Sequence, residues 1–309
     1  MPLEVEAGQM ILHEAAPLQL TIILIYLMRM PRNSRGVVMW RVCLAGVGLA
    51  VAIGFAGVSR ADPRLDEVVY DPYVEKGVVE LEARSAGLVG APAGGAAQAN
   101  VFELEYGVTN HLSLALVGIE SQEPHGLAQW SDVGLEGIWY VGRIPKVGVD
   151  TGLYLEYGHG LNGEPDKLEG KILLAKRAGR FEGLLNLIVE RPLNAPDGGN
   201  YAAYGYAASA TWRTVGALRI GAEALGDFGD DHRFGGRQGA YVGPQVKWEF
   251  RPFGGASDVD GDDDGDEAAA QKGPPIEVDV DAGWLAAVGP DRDEAESQAR
   301  IAVELERKF

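Results

Sequence analysis

Acidic residues recur at every second position in several segments of this sequence. Glu80 and Glu82 form one such pair, and Glu103 and Glu105 form another. Because successive side chains of a β-strand point to opposite faces, this spacing places both carboxylates of a pair on one face. The last third of the chain repeats the spacing in Glu277, Asp279, Asp281, Glu304 and Glu306. Such a surface is expected to select among ions and polar solutes by charge.

A second acidic motif has the spacing of a calcium loop. The stretch "DGDDDG" places Asp260, Asp262 and Asp264 ahead of Gly265, which fits the pattern D-x-D-x-D-G. The twelfth position is Gln271, where such loops use a bidentate Glu. Two interpretations stay open: loose binding of a divalent cation by the three aspartates, or a solvated run of mutually repelling charges, which is favoured.

The elements that position these residues have a period of two. In "VGVDTGLYLEYG", Val149, Leu153 and Leu155 share one face, and Asp150 and Glu156 share the other. About twelve segments alternate in this way, near 74–86, 98–109, 112–121, 131–142, 147–159, 167–178, 181–192, 202–214, 217–227, 238–251, 276–288 and 298–309. An even number of strands about ten residues long predicts an all-β fold, a single antiparallel transmembrane β-barrel with up-and-down topology.

The connections between these segments alternate between short and long. Tight turns follow the even-numbered segments and long polar loops follow the odd-numbered ones, as in barrels with short turns at one end. One connection, 254–275, is long and acidic where a short turn is expected, and we interpret it as an insertion. A soluble β-sandwich is the alternative fold, and it would turn the apolar faces inward.

The start of the chain has the features of an export signal. Four arginines within 29–41, an apolar run, and Ser59 and Ala61 around Arg60 predict a signal peptide that is cleaved after Ala61. The predicted organisation is an upstream extension over 1–38, a signal peptide over 39–61 that begins at 29–30 if translation starts earlier, and a barrel over 62–309. The net charge of −18 argues against nucleic acid as a partner.

The last nine residues, "IAVELERKF", alternate in polarity and end on Phe309. This ending resembles the C-terminal signature of Gram-negative outer-membrane β-barrel proteins. The resemblance implies residence in the outer membrane, contact with its lipid, and recognition of 301–309 by the barrel-assembly machinery. The hairpin "YGVTNHLSLALVG", residues 106–118, resembles an element of small channel-like barrels.

A charge-segregated lumen is the expected functional site. If the apolar faces meet lipid, the carboxylates above line one sector of the interior, and basic residues line another: Lys171, Arg177, Arg213, Arg219, Lys247 and Arg251. This pattern predicts a passive, porin-like channel for small polar or amphiphilic solutes. A closed structural barrel, whose lumen is filled by salt bridges, is an alternative.

A lipid-modifying enzyme is the remaining alternative. His111 and Ser113 form the pair H-x-S, which resembles the catalytic pair of barrel phospholipases. However, His111 falls in a predicted tight turn, and no Asn-Gly follows Ser113. Since no nucleophile, base and orienting group can be assembled from the sequence, we expect neither enzymatic activity nor a cofactor.

Overall fold

The computed structural model describes residues 64–90, 98–122, 126–195, 200–232, 234–235, 239–253, 276–293 and 295–309. The predicted extension, the signal peptide with its cleavage site, the acidic insertion 254–275, and Asp260, Asp262 and Asp264 within it all lie outside the described residues.

Twelve strands make up almost all of the regular structure in these ranges. They are β1 (Val78–Val89), β2 (Gln98–Gly107), β3 (Leu112–Gln122), β4 (Gln129–Ile144), β5 (Val149–Gly160), β6 (Lys167–Ala178), β7 (Phe181–Pro192), β8 (Ala203–Arg213), β9 (Leu218–Asp230), β10 (Ala240–Phe253), β11 (Ile276–Val288) and β12 (Ser297–Lys308). A short 3-10 helix, Gly289–Asp293, joins β11 to β12.

Each strand pairs antiparallel with its neighbours in sequence, and β12 pairs with β1, so the sheet is a closed barrel. The predicted fold class is therefore confirmed. Closure gives the backbone N–H and C=O groups of every strand a partner, which is the requirement for a β-structure in lipid. At the seam, Val78 lies opposite Lys308, and the amide of Phe309 donates to the carbonyl of Gly77 over 2.8 Å.

The two ends of the barrel differ in their connections. Residues 108–111, 145–148, 179–180 and 214–217 are short turns at one end, here called the turn end. The connections that follow the odd-numbered strands lie at the opposite end, the loop end, whereas the acidic insertion 254–275 joins two strand ends at the turn end. β1 begins at the turn end, and short turns at the end that holds the start of the first strand are typical of the periplasmic side of a barrel.

Large apolar side chains cover the outer face. Leu116, Leu135 and Leu155 on β3, β4 and β5 are 61 %, 54 % and 59 % exposed, and they alternate with buried side chains along each strand. A soluble sandwich would bury these leucines, so the predicted orientation of the apolar faces is confirmed. No helix within the described ranges has the length and apolar character needed to cross a membrane.

The first strand begins later than predicted. The alternation had placed it near 74–86, whereas β1 is Val78–Val89. Gly77 adopts a positive φ of 82°, and a Cβ at this position would lie 2.9 Å from the carbonyl oxygen of Phe309. This glycine reverses the chain, so residues 64–76 turn into the barrel and do not extend its wall.

An arginine in the middle of the outer face is expected to destabilise the barrel. Leu116→Arg should lower the free energy of unfolding by about 2–4 kcal/mol, because the charge must enter hydrocarbon. Unfolding by urea in phospholipid vesicles measures this loss. The matched variant is Val141→Arg, near the turn end of β4, with an expected loss of about 0–1 kcal/mol. Equal losses in the two variants would contradict a membrane-embedded outer face.

Candidate functional site in the barrel lumen

Residues 64–77, here called the N-terminal segment, run through the inside of the barrel. At the turn end, the amide of Gly77 donates to the carbonyl of Gly107 over 2.8 Å. At the loop end, Arg64 forms ion pairs with Asp227 on β9 and Asp291 in the 3-10 helix. The segment therefore spans the lumen from the turn end to the loop end.

The wall of the barrel holds the backbone of this segment. The side-chain amide of Asn186 on β7 accepts from the Tyr70 amide and donates to the Tyr70 carbonyl, both over 2.8 Å. Arg300 on β12 donates to the carbonyls of Arg64 and Glu67. A non-strand backbone needs such partners inside a barrel, because water reaches only part of its polar groups.

Two glycines of the wall make room for the segment. A Cβ at Gly152 on β5 would lie 2.7 Å from Cβ of Pro72, and a Cβ at Gly107 on β2 would lie 1.9 Å from the carbonyl oxygen of Glu75. Neither position can hold a larger residue while the segment keeps its place. The path of the segment is thus encoded in the strands as well as in the segment itself.

Acidic residues of the segment neutralise the basic residues of β6. Asp66 pairs with Lys167 at 3.4 Å, Glu67 pairs with Lys171, and Asp71 pairs with Arg177 at 3.2 Å. The ring of Tyr70 also contacts Lys171. The ammonium of Lys171 lies 4.7 Å from the ring centres of Tyr70 and Tyr154, and the two rings are 4.9 Å apart.

Part of the inner face is apolar, in contrast to the expectation of a charged lining throughout. Leu65 and Val69 of the segment pack in one buried cluster with inward-facing wall residues, which are Ala86, Leu88, Ala99, Ala175, Leu184, Ala207, Leu225, Tyr241, Leu285 and Ala287. A small cavity of about 30 Å³ remains beside the segment, between Arg84 and Glu223. The lumen therefore combines this apolar cluster with the carboxylates that line other parts of the inner face.

The predicted pore-lining residues lie on the inward-facing sides of their strands. They are Glu80, Glu82, Glu103, Glu105, Asp279, Asp281, Glu304, Glu306, Lys171, Arg213, Arg219, Lys247 and Arg251. Glu80 lies opposite both Glu105 and Glu306, and Glu82 lies opposite both Glu103 and Glu304. Like charges placed directly across two strand pairs repel each other.

The carboxylates continue as a ladder along the strand pairing. From β11 to β7, eight of nine successive partners are glutamates: Glu277, Glu306, Glu80, Glu105, Ala115, Glu136, Glu156, Glu169 and Glu190. Glu277 is near the turn end of its strand and Glu190 is near the loop end of its strand. Since the strands are tilted in a barrel, this carboxylate ladder winds along the lumen.

Few cations balance this ladder at the turn end. Arg84 contacts Glu82 and Glu103, each at 3.2 Å, Lys247 pairs with Asp281 at 3.2 Å, and Arg251 pairs with Glu277 at 3.0 Å. Within the described part of the chain, no basic side chain lies within 4 Å of a second set of carboxylates, namely Glu80, Asp279, Glu304 and Glu306. This half of the lumen is strongly acidic.

Sequence reasoning missed two parts of the site. Arg84 continues the inward alternation of Glu80 and Glu82 in "ELEAR", so its position was readable from the sequence. The N-terminal segment had no such signal, since "RLDEVVYDPYVEKG" has no period that predicts a path through a lumen. Its contacts join it to residues that are 77 to 236 positions away in the sequence.

Three groups of carboxylates are close enough to share a cation. In each, one oxygen of every residue lies within 4.8 Å of the others; the groups are Glu80–Glu82–Glu103, Glu103–Glu105–Glu136 and Glu277–Asp279–Glu306. All three lie on the inner face and differ from the predicted aspartates of the acidic insertion.

The H-x-S pair does not form a catalytic arrangement. His111 is exposed in the turn before β3, where its ring stacks on Tyr140 with centres 5.7 Å apart. Ser113 is fully buried on the inner face, and its hydroxyl has no hydrogen-bond partner among the described residues. Nothing in this geometry lets His111 act as a base for Ser113.

An ordered loop lies between β5 and β6 at the loop end. Asp166 accepts from Tyr157 over 3.0 Å and lies 2.7 Å from Nδ1 of His159. Desolvation raises the pKa of Asp166, but the hydrogen bonds from His159 and Tyr157 outweigh it, so the pKa lies below its ordinary value. The carboxylate therefore stays charged and holds the loop against the strand.

Comparisons with known proteins give a fold likeness and no family. No protein-family model matches the chain, and no curated protein matches it. Among solved structures, the COG4313 outer membrane channel from Pseudomonas putida F1 has 12 % identity and a TM-score of 0.49, over 81 % of this chain and 100 % of that one. The KdgM porin in complex with disordered oligogalacturonate has 8 % identity and a TM-score of 0.42, over 75 % and 99 %.

A third similar structure is the Acinetobacter baumannii outer membrane protein Omp33, with 11 % identity and a TM-score of 0.34, over 76 % of this chain and 100 % of that one. At TM-scores below 0.5, these likenesses transfer no function, solute or location to this chain.

Loss of the Asn186 amide is expected to loosen the N-terminal segment. Asn186→Leu leaves the amide and carbonyl of Tyr70 without partners, and each unsatisfied buried group costs about 1–3 kcal/mol. Hydrogen exchange of the peptide that contains Tyr70 should become at least about tenfold faster. Asn100→Leu is the control, because Asn100 bonds to Gln98 and Glu120 and does not contact the segment. Unchanged exchange in Asn186→Leu would contradict the anchoring role.

Proposed function

We propose that this protein is an outer-membrane β-barrel that acts as a passive, weakly cation-preferring channel for small polar or amphiphilic solutes. The observation that carries the proposal is the carboxylate ladder, whose eight glutamates face the lumen from eight of the twelve strands and have few counter-charges at the turn end. Ordered side-chain charges of one sign are how pores select ions and polar solutes.

The distribution of charge supports a preference and not strict exclusion. Arg219 on β9 and Lys247 on β10 lie opposite each other and face the lumen, and Lys247 also lies opposite Asp281 on β11. Screening limits the reach of these fields to about 8 Å at physiological salt, so a solute must pass close to the ladder to be selected. A narrow lumen fulfils this condition.

The lining also supports passage of amphiphilic solutes. The interior is apolar around Leu88, Leu225 and Leu285 and acidic around Glu80, Glu82 and Glu105. A solute that carries a positive group and a small apolar part would find a complementary surface in each of these two regions. The proposed solute is therefore defined by these two features, a positive group and a small apolar part.

The outer face supports the proposed location. It is apolar over its middle, and Trp139, Trp212 and Trp248 are about half exposed near the turn end, which is where aromatic residues contact the lipid–water boundary. The proposed partners are outer-membrane lipid, small solutes, and the assembly machinery, which would bind 301–309. The export signal predicted before residue 62 is consistent with this route.

A closed structural barrel is the second candidate, and the N-terminal segment favours it. The segment runs through the lumen, its apolar residues pack in the buried cluster of the wall, and its acidic residues pair with Lys167, Lys171 and Arg177. In this candidate the segment is a permanent plug. In the channel, it leaves a path along the acidic side or moves from the axis when solute passes.

Removal of carboxylates is expected to weaken cation preference. In planar bilayers with a potassium chloride gradient, the wild-type reversal potential should have the sign of a cation-preferring pore. The double variant Asp279→Asn/Glu304→Gln should shift it by at least about 5 mV toward zero, because it removes two lumenal charges without changing side-chain size. Glu164→Gln, in an exposed loop, is the charge-matched control.

Wild-type protein that inserts and shows no conductance would contradict the channel and favour the closed barrel. An equal shift of the reversal potential in Glu164→Gln would show that the ladder does not set the preference.

Weakening the anchors of the segment distinguishes the two candidates. Lys171→Met removes the partner of Glu67 and of the wall residue Glu169, and Arg177→Met removes the partner of Asp71 and of the wall residue Glu182. If the segment obstructs flow, the double variant should at least about double the mean conductance, since a buried charge left unpaired costs about 3–5 kcal/mol. Arg143→Met, at the turn end of β4, is the control. If the double variant shows no conductance, and its heat-modifiable migration in electrophoresis shows that it is folded, the closed barrel is supported.

A further inference from the structure

Glu103, Glu105 and Glu136 converge on one point of the lumen wall. Glu103 and Glu105 come from β2 and Glu136 comes from β4, and one carboxylate oxygen of each lies within 4.8 Å of the others. The strand between them, β3, contributes only Ala115 at the position that faces both Glu105 and Glu136. Because this side chain is a methyl group, the carboxylates can meet above it.

One oxygen of this group is buried without a partner. Glu136 is 2 % exposed, and its Oε1 atom has no hydrogen bond among the described residues. An unsatisfied carboxylate oxygen at this depth costs several kcal/mol unless a proton or a cation lies beside it. A positive species is therefore required at this position.

The neighbouring tyrosine cannot supply enough protons. The hydroxyl of Tyr154 lies 2.7 Å from Oε2 of both Glu136 and Glu156. A hydroxyl has one proton, so it can donate to only one of the two carboxylates at a time. The shortage of positive charge around Glu136 thus extends to both of its oxygens.

Arg84 does not remove the shortage either. Its guanidinium contacts Oε2 of Glu82 and Oε2 of Glu103, each at 3.2 Å. No ion pair within the described ranges includes Glu105 or Glu136. Arg84 therefore offsets the charge of Glu103 only, and Glu105 and Glu136 have no basic partner among the described residues.

We propose that Glu103, Glu105 and Glu136 bind one calcium ion. Calcium–oxygen distances of about 2.3–2.6 Å allow ligand oxygens up to roughly 5 Å apart, which accommodates the observed spacing, whereas the shorter distances around magnesium require tighter contacts. Carboxylates supply three ligands, and water supplies the rest. The site lies within the carboxylate ladder, and its existence does not depend on whether the lumen conducts.

Calorimetry with calcium chloride tests the site on the folded full-length protein in a non-ionic detergent. We expect one saturable site in the wild type and at least about a tenfold weaker affinity in Glu136→Gln, because calcium affinity follows the number of charged ligands. Magnesium chloride at the same concentrations should bind at least about tenfold more weakly.

Two control proteins locate the binding. Glu190→Gln removes a ladder carboxylate outside the group and should keep the wild-type affinity. Asp262→Asn/Asp264→Asn tests the acidic insertion as the source of binding, and it should also keep the affinity. If Glu136→Gln fails to fold, as shown by loss of heat-modifiable migration in electrophoresis, Glu105→Gln is used in its place, with the same expected loss.

Three results would overturn the proposal. The first is that the wild type shows no saturable binding up to about 10 mM calcium, a concentration above the range of weak protein sites. The second is that a folded Glu136→Gln variant keeps the wild-type affinity. The third is that only the Asp262→Asn/Asp264→Asn variant loses binding. The first result would mean that Glu103 and Glu136 share a proton instead of a metal ion.

Discussion

Closure of the sheet by β1 and β12 is the constraint on which the other features of this structure depend. Hydrocarbon offers no hydrogen bonds, so every backbone group of a spanning strand must find its partner in another strand. Twelve antiparallel pairings meet this requirement without an edge. Once the sheet is closed, the period of two assigns each side chain either to the outer face or to the lumen. The inward position of so many glutamates is a direct result of this assignment.

The crowding of carboxylates has an electrostatic cost that the structure distributes unevenly. At the closing seam, Glu80 and Glu82 lie opposite Glu306 and Glu304, so the pairing that completes the barrel also opposes like charges. On β6, Lys167 and Lys171 share their charge between the ladder glutamates Glu156 and Glu169 and the acidic residues of the N-terminal segment. The turn-end part of the ladder keeps its excess negative charge, which connects the proposed cation preference with the proposed calcium site.

The N-terminal segment is part of the lumen and not an appendage. Asn186 and Arg300 bind its backbone, and Gly152 and Gly107 leave the space it occupies. Its apolar residues, Leu65 and Val69, complete a cluster that the wall alone leaves open to the interior. Any function that requires passage through the barrel must therefore account for this segment, which is why the channel and the closed barrel are distinguished by its anchors.

The sequence by itself determined the barrel and the face on which each charge lies. Alternation is a local property, so it located all twelve strands, and it placed Glu80, Glu82, Glu304 and Glu306 on the same side as the other acidic residues. It also implied that the last strand closes on the first. These inferences need only the geometry of an extended chain and the exclusion of unpaired backbone from lipid.

Only the tertiary structure decided what fills the lumen and which carboxylates meet. The contact of Tyr70 with Asn186, the ion pair of Glu67 with Lys171, and the convergence of Glu103, Glu105 and Glu136 all join distant parts of the chain. Strand register, barrel tilt and the small side chain of Ala115 set these distances together. Periodicity carries no information about such distances, because it specifies the face of a residue and not its neighbours across the barrel.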